Sequence, residues 1–354
     1  MRRATSTVVA LACMFITTTT YAQAQSTPKT PHRVVEYVNT VNPADPVRMT
    51  GSGIIIAGRT GAVRAMSRFA GPAAGAQPLA DCGNYYKNEL GNAVNVYVAA
   101  IPLAVAYYAP TAAKSMTKNQ GAAVNAMFAA LNDNVKGVDV YSALAQHVKE
   151  PIYFRTDHHW APLAGYYAAK EFARVAGVPF RDLSHYEEVV QERYIGSMYQ
   201  FSGNDKAVLS SPDRFVYHKP KGVEYTTTYI QYNIDSNKRI VSESKPFVGK
   251  YFYNLSGSSA YCIFMGGDSK ITQVRTSTKN GRRLVIVKDS FGNVLPGYLF
   301  YSFEEIHVID FRYFNKNMKR YIKDNGITDV LLASNISFAC TQSTMNKYKR
   351  FIVQ

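Results

Sequence analysis

Apolar residues recur along the chain in short blocks, and the spacing inside the blocks alternates between strand and helix periods. Gly53-Ile-Ile-Ile-Ala57 and Ala62-Val-Arg-Ala-Met66, separated by Gly-Arg-Thr-Gly, read as a hairpin. Asn84 to Leu90 reads as the end of a helix. Val94 to Ile101, closed by Pro102, is a near-continuous apolar run of strand type, and Ala122 to Leu131 has helical spacing. Val138-Asp-Val-Tyr141 reads as a short strand, Ala143 to Val148 as a helix, Pro151-Ile-Tyr-Phe154 as a strand and Tyr166 to Val175 as a helix. This β-α-β-α-β order predicts an α/β fold, a parallel sheet with helices on its faces.

From about Phe180 to Cys262 that rhythm stops. Tyr225-Thr-Thr-Thr-Tyr-Ile-Gln-Tyr232 and Lys250-Tyr-Phe-Tyr-Asn254 are aromatic and β-rich, which predicts an antiparallel insertion over or beside the sheet. The rhythm resumes with the buried strand Leu284-Val-Ile-Val287. A helix is expected from Val294 to Phe303, bent at Pro296, then a strand Glu305 to Phe311, a basic helix Lys316 to Asp324 and a last strand Ile327 to Ala333. The expected organisation is therefore a leader over 1–24 and an arm over 25–50. The α/β domain follows in two parts, 51–180 with its hairpin and 261–354, around a β-rich insertion over 181–260.

Composition narrows the function classes. The chain has 354 residues, 47% of them hydrophobic, and a net charge of +15. No Lys/Arg run is dense enough to mark a nucleic-acid surface, so the charge reads as diffuse and solubilising. Arg2-Arg3, the apolar run Val8 to Ile16 and Ala22-Gln-Ala24 form a secretory leader, so a periplasmic or secreted protein starting near Gln25 is expected. Cys13 would leave with the leader. The remaining three, Cys82, Cys262 and Cys340, permit at most one internal disulfide and are spaced too widely for a zinc ribbon.

The chemistry-bearing stretch is Asp157-His158-His159-Trp160, between a strand-like and a helical segment. An acid beside an imidazole is the orienting half of a nucleophilic triad. The same residues also suit a loop that caps the following helix. A nucleophilic serine belongs on a sharp turn between a buried strand and a helix, where the amino end of the helix supports developing negative charge. Ser269 lies in a literal Gly-Asp-Ser but is followed by the strand-like Ile271-Thr-Gln-Val-Arg-Thr276. Ser290 lies in Lys288-Asp-Ser-Phe291, after a buried strand, and is the better nucleophile. On the same sheet edge the chain should bring Arg312, Tyr313 and Asn335. Ser290, His159 and Asp157 then compose a triad, with the Ser290 N–H and Asn335 as oxyanion donors; Asn335 reads equally well as a cap after its strand.

Thr156-Asp-His-His-Trp-Ala-Pro162 followed by Lys288-Asp-Ser-Phe291 resembles the bacterial DHHW family. That family is similar to the SGNH-like domain of the alginate O-acetyltransferases AlgX and AlgJ. The resemblance implies an SGNH-hydrolase-like sheet whose Asp-x-His-Trp motif precedes the serine block by circular permutation. It assigns Asp157, His159 and Ser290 as the triad and leaves His158 as the intervening residue. Ile309-Asp-Phe-Arg-Tyr-Phe314 and Gly266-Gly267 also look like family blocks. The implied activity is serine acyl transfer or ester hydrolysis on O-acetyl groups of an envelope or extracellular polysaccharide. No cofactor is implied, and there is room for a membrane-bound acyl-donor protein as partner. Two departures stand out: Lys288 occupies a position where an SGNH serine block has glycine, and no glycine follows the strand Glu305 to Phe311, where Arg312 or Tyr313 is the substitute donor. These departures keep open a catalytically silent module that binds polysaccharide or supports an export complex. A third reading has Asp157 and the two histidines bind a metal with His185 or His218.

Overall fold

The computed structural model describes residues 31–354 apart from 36, 38 and 238. The expected leader and Cys13 lie outside the described residues. Three antiparallel strands come first: β1 (Val47–Met49), β2 (Ile54–Ala57) and β3 (Arg64–Ser67). β4 (Asn95–Ile101) and β5 (Val135–Gly137) enter the central sheet, and β6 (Tyr186–Tyr194) pairs with β7 (Asp213–Pro220) as a separate ribbon. Next come β8 (Tyr225–Ile234), β9 (Ile240–Glu243) and β10 (Phe247–Gly249). The chain finishes with β11 (Lys270–Thr276), β12 (Arg283–Lys288), β13 (Glu305–Asp310) and β14 (Asp329–Asn335).

The central sheet has the order β10-β8-β11-β13-β12-β14-β4-β5, with β9 on β8. From β13 to β5 every pairing is parallel, while β11, β8 and β10 pair antiparallel. β12 lies in the parallel part and its Leu284-Val-Ile-Val287 run is wholly buried, as expected for a strand covered on both faces. β4 shows how the helices divide between those faces. Tyr97 meets Phe172 of the helix Pro162–Ala176 edge to face, with ring centroids 5.1 Å apart. The next residue, Val98, points the other way, to the helix Gln77–Leu90. That helix comes so close at Gly83 that a β-carbon there would lie 2.5 Å from Val98 Cγ1. Among the described residues no helix is long and apolar enough to cross a membrane, and Cys82, Cys262 and Cys340 are all free thiols.

Three local expectations are corrected. Val138–Tyr141 is not a strand: Asp139 accepts the Ser142 N–H at 2.8 Å, and that cap starts a helix at Val140. The helix expected over Val294–Phe303 is two 3-10 turns, Ser290–Val294 and Pro296–Tyr298, because Pro296 lacks the N–H that would continue a helical ladder. Pro151–Phe154 is not a sheet strand either. Tyr153 makes one bridge to Trp160, which closes the loop on itself, while Arg64 donates to the carbonyls of Tyr153 and Phe154 at 3.0 and 2.8 Å. The Asp-His-His-Trp loop is therefore carried by side chains of its neighbours and not by a strand of the central sheet.

Candidate active site

Because β12, β13 and β14 run parallel, their carboxyl ends open on one edge, with Lys288 level with Asp310 and Ala333. Ser290 heads the turn just beyond β12. Asp289 fixes that turn: its Oδ1 accepts the Phe291 N–H at 2.8 Å, and its Oδ2 accepts Asn335 N–H at 2.7 Å and Asn335 Nδ2 at 3.1 Å. Burial pushes the Asp289 carboxyl up to about 6, although these backbone N–H bonds pull the other way.

The opposite wall is the loop 153–160. Asp213 on β7 holds its start, accepting from Arg155 N, Thr156 N and Thr156 Oγ1 within 3.0 Å. Trp160 is fully buried and donates its indole N–H to the Phe291 carbonyl at 2.8 Å, which ties the loop to the serine turn. Across that joint His159 Nε2 lies 2.8 Å from Ser290 Oγ, and His159 Nδ1 lies 2.7 Å from Asp157 Oδ1. The other Asp157 oxygen accepts from Tyr194 OH and Ser197 N–H, both at 2.8 Å. Burial alone would raise the Asp157 carboxyl, but His159 and the surrounding donors hold it well below the usual carboxylate range. The imidazole of His159 is stacked on Tyr261, centroids 3.7 Å apart and planes 4° off parallel. His158 packs on its other side at 3.7 Å. Burial, and after it the neighbouring His159, push His158 down to about 3.

The three residues expected at the oxyanion are placed otherwise. Asn335 spends its amide N–H on Asp289, while its Oδ1 accepts from Ser337 and Phe338 N–H as the cap of the helix Ile336–Ala339. Arg312 is held by carboxylates, with Nε on Asp310 and Nη2 on Asp268, each at 2.7 Å. Tyr313 lies under that guanidinium, its ring centroid 5.5 Å from the Arg312 carbon. The reason is Lys288, which is buried and bonds Asp268 at 2.9 Å and Asp310 at 3.0 Å. Two cations and two carboxylates so neutralise one another beside the serine turn, and Asn293 joins through Asp268 at 2.8 Å. Ser290 N–H, at the head of its turn, is among the amino-end groups that a helical turn leaves unsatisfied.

Several of these residues escape a reading of the sequence. Tyr194, Gly196 and Ser197 hold Asp157 from 37 to 40 positions away, and no local pattern marks them. Asp268 was signalled by Gly267-Asp-Ser269, although it is the acid and not Ser269 that reaches the site. Ser269 instead takes Gln231 on β8, Oγ to Nε2 at 2.9 Å. The ligand atoms of Asp157, His158 and His159 lie within 4.8 Å of one another. His185 bonds Asp182 and His218 bonds Tyr298, so the wider metal-ligand set is not assembled among the described residues.

A mostly parallel sheet flanked by helices, with Ser290, His159 and Asp157 joined by hydrogen bonds at its carboxyl edge, defines an α/β protein. The chain belongs to the DHHW family: the model of the DHHW protein family matches residues 80–309. A DHHW family protein from Eubacterium siraeum is 36% identical, with a TM-score of 0.77 over 86% of this chain and 97% of that one. Bacillus cereus PatB1, whose structure is known with a sulfonyl adduct, is 17% identical with a TM-score of 0.61 over 85% of this chain and 97% of that one. The O-acetyltransferase domain of Pseudomonas putida AlgJ is 13% identical with a TM-score of 0.44, over 86% of this chain and 99% of that one. At such identity the PatB1 likeness speaks for the fold alone. No functionally curated protein matches the chain.

Proposed function

We propose that this protein is an exported serine acyltransferase or esterase acting on O-acetyl groups of a cell-envelope or extracellular polysaccharide. The observation that carries the reading is the continuous Ser290–His159–Asp157 hydrogen-bond chain, 2.8 and 2.7 Å long in its two links. His159 Nε2 takes the Ser290 proton as Oγ bonds to the acetyl carbonyl carbon, and Asp157 stabilises the imidazolium. Ser290 N–H faces the developing oxyanion. The intermediate collapses, His159 returns the proton to the leaving sugar oxygen, and an acetyl-serine remains. A water or a second sugar hydroxyl, deprotonated by His159, then takes the acetyl group and restores Ser290. Transfer and hydrolysis share every step but the last. The order Asp157, His159, then Ser290 along the chain is read as a circular permutation of the SGNH arrangement.

A silent binding module would not need the serine and imidazole within reach of each other, and here they are. The test is a chromogenic acetyl ester offered with and without oligosaccharide, together with labelling by phenylmethylsulfonyl fluoride. Turnover and a sulfonylated Ser290, both lost in Ser290→Ala, are expected. Absence of turnover and of labelling in the unmodified protein would sink the enzyme reading.

A further inference from the structure

Two rings beside the relay have no task in it. Phe201 is 45% exposed, and its centroid lies 5.3 Å from that of His158, which in turn lies against His159. The exposed ring is thus one residue removed from the imidazole that bonds Ser290. Nor is it a loose side chain. The short helix Met198–Phe201 is seated by Met198 in a second small core with Ile54, Ile56, Val63, Ala65 and Val208. Ser52 Oγ donates to the Phe201 carbonyl at 2.6 Å. The same run of chain begins with the residues that hold Asp157, so the acid of the triad and the exposed ring are positioned together.

His158 supplies the polar half. Its backbone N–H donates to Ser197 Oγ at 3.3 Å, and the same hydroxyl bonds ring atom Nδ1. In the tautomer in which the Ser197 hydroxyl donates to Nδ1, the ring proton of His158 sits on Nε2. Nε2 has no partner among the described residues, and the side chain is 27% exposed. An exposed aromatic ring and, in that tautomer, an unspent N–H donor thus lie on the His158 side of the imidazole that bonds Ser290.

A pyranose presents a C–H face that packs on an aromatic ring and an edge of oxygens that accept hydrogen bonds. We infer that Phe201 and His158 form the subsite for the sugar ring whose hydroxyl exchanges the acyl group with Ser290. Phe201 takes the C–H face and His158 Nε2–H an oxygen at the edge. The inference rests on the acyl-transfer reading for the purpose of binding, but the binding itself needs no turnover.

The experiment is therefore calorimetric titration of Ser290→Ala protein with chitopentaose, cellopentaose and O-acetylated xylo-oligosaccharides. At least one probe is expected to bind saturably. Adding Phe201→Ala weakens it by about tenfold, and His158→Leu, which keeps bulk but removes the donor, weakens it also. Phe201→Leu, apolar but without a flat face, behaves like Phe201→Ala. Failure of every probe to bind, or equal affinity with and without Phe201, overturns the subsite. If sugars bind through Phe201 while phenylmethylsulfonyl fluoride leaves Ser290 unlabelled, the subsite stands and the enzyme reading falls.

Discussion

Gly196 lies directly against Asp157: a β-carbon on Gly196 would fall 2.2 Å from Asp157 Oδ2. Only a residue without a side chain lets the Ser197 N–H reach that carboxylate. Gly196→Ala must push either the carboxylate or the segment away. The cost is about 1–3 kcal/mol of stability, the usual range for overpacking. A carboxylate displaced by an ångström lowers kcat/KM by about 10²-fold. Denaturant unfolding and ester hydrolysis of the same variant check both halves, and full activity in Gly196→Ala would show that the close approach has no part in catalysis.

The triad residues should differ in what their loss costs. On the proposed acyl-transfer reading Ser290→Ala and His159→Ala remove nucleophile and base, so turnover is expected to fall to the uncatalysed background. Asp157→Asn keeps the shape and loses the charge that fixes the tautomer, which in a triad costs roughly 10⁴-fold in kcat. His158→Ala leaves the relay whole and is expected to cost only about tenfold, expressed in KM for a sugar ester. Steady-state kinetics on a sugar acetate separates these cases; a His158→Ala loss as large as that of His159→Ala would assign the base wrongly.

Lys288 is 3% exposed and faces Asp310, which is fully buried, so neither charge has water to fall back on. Lys288→Met leaves Asp268 and Asp310 with one cation, Arg312, between them. Breaking a buried pair from one side costs about 3–5 kcal/mol. Combining Lys288→Met with Asp310→Asn should recover part of that loss, because the orphaned charge goes with its partner. Urea midpoints of the two single variants and the double variant test the coupling, and strictly additive effects would refute it.

Asp289 gives stability a pH dependence whose sign follows from its burial. Burial raises its folded carboxyl to about 6 from the ordinary 3.8. Between those values the folded state binds the extra proton, so stability is largest at the acid end of the window and falls as pH rises through about 6. The effect is on the order of 3 kcal/mol. Asp157 and Asp268, held low by their partners, work in the opposite sense: their contribution is present above about pH 4 and lost below it. Thermal melts at half-unit steps from pH 4 to 7 should show a decline that Asp289→Asn flattens.

The strand and turn that carry Ser290 are legible in the sequence. The buried run Leu284-Val-Ile-Val287 fixed a strand, the strand fixed a turn, and the turn singled out Ser290 over the literal Gly-Asp-Ser. Legibility ended where tertiary contacts decide. A strand read at Pro151–Phe154 is a loop, because Arg64 satisfies the Tyr153 and Phe154 carbonyls from outside and Asp213 the N–H groups of the next two residues. A helix read after Val294 is a pair of tight turns, because Pro296 interrupts it. Arg312 and Asn335 arrive at the expected edge, yet Lys288 draws acids there that occupy Arg312, and Asp289 occupies Asn335. No single-residue pattern carries that competition; it depends on which charges meet once the strands are side by side.

The second core under Met198 is small, six buried side chains set apart from the main one. A unit of that size opens by local unfolding at a free energy well below that of the whole domain. Amides of Met198–Phe201, whose buried Met198 belongs to the small core alone, should accordingly exchange with deuterium ahead of those in β12 and β14. The turn that carries Ser290, directly after β12, sits on the slow side of that divide, and the Phe201 ring on the fast side. The ring proposed to meet a sugar therefore breathes on a different clock from the turn that holds Ser290.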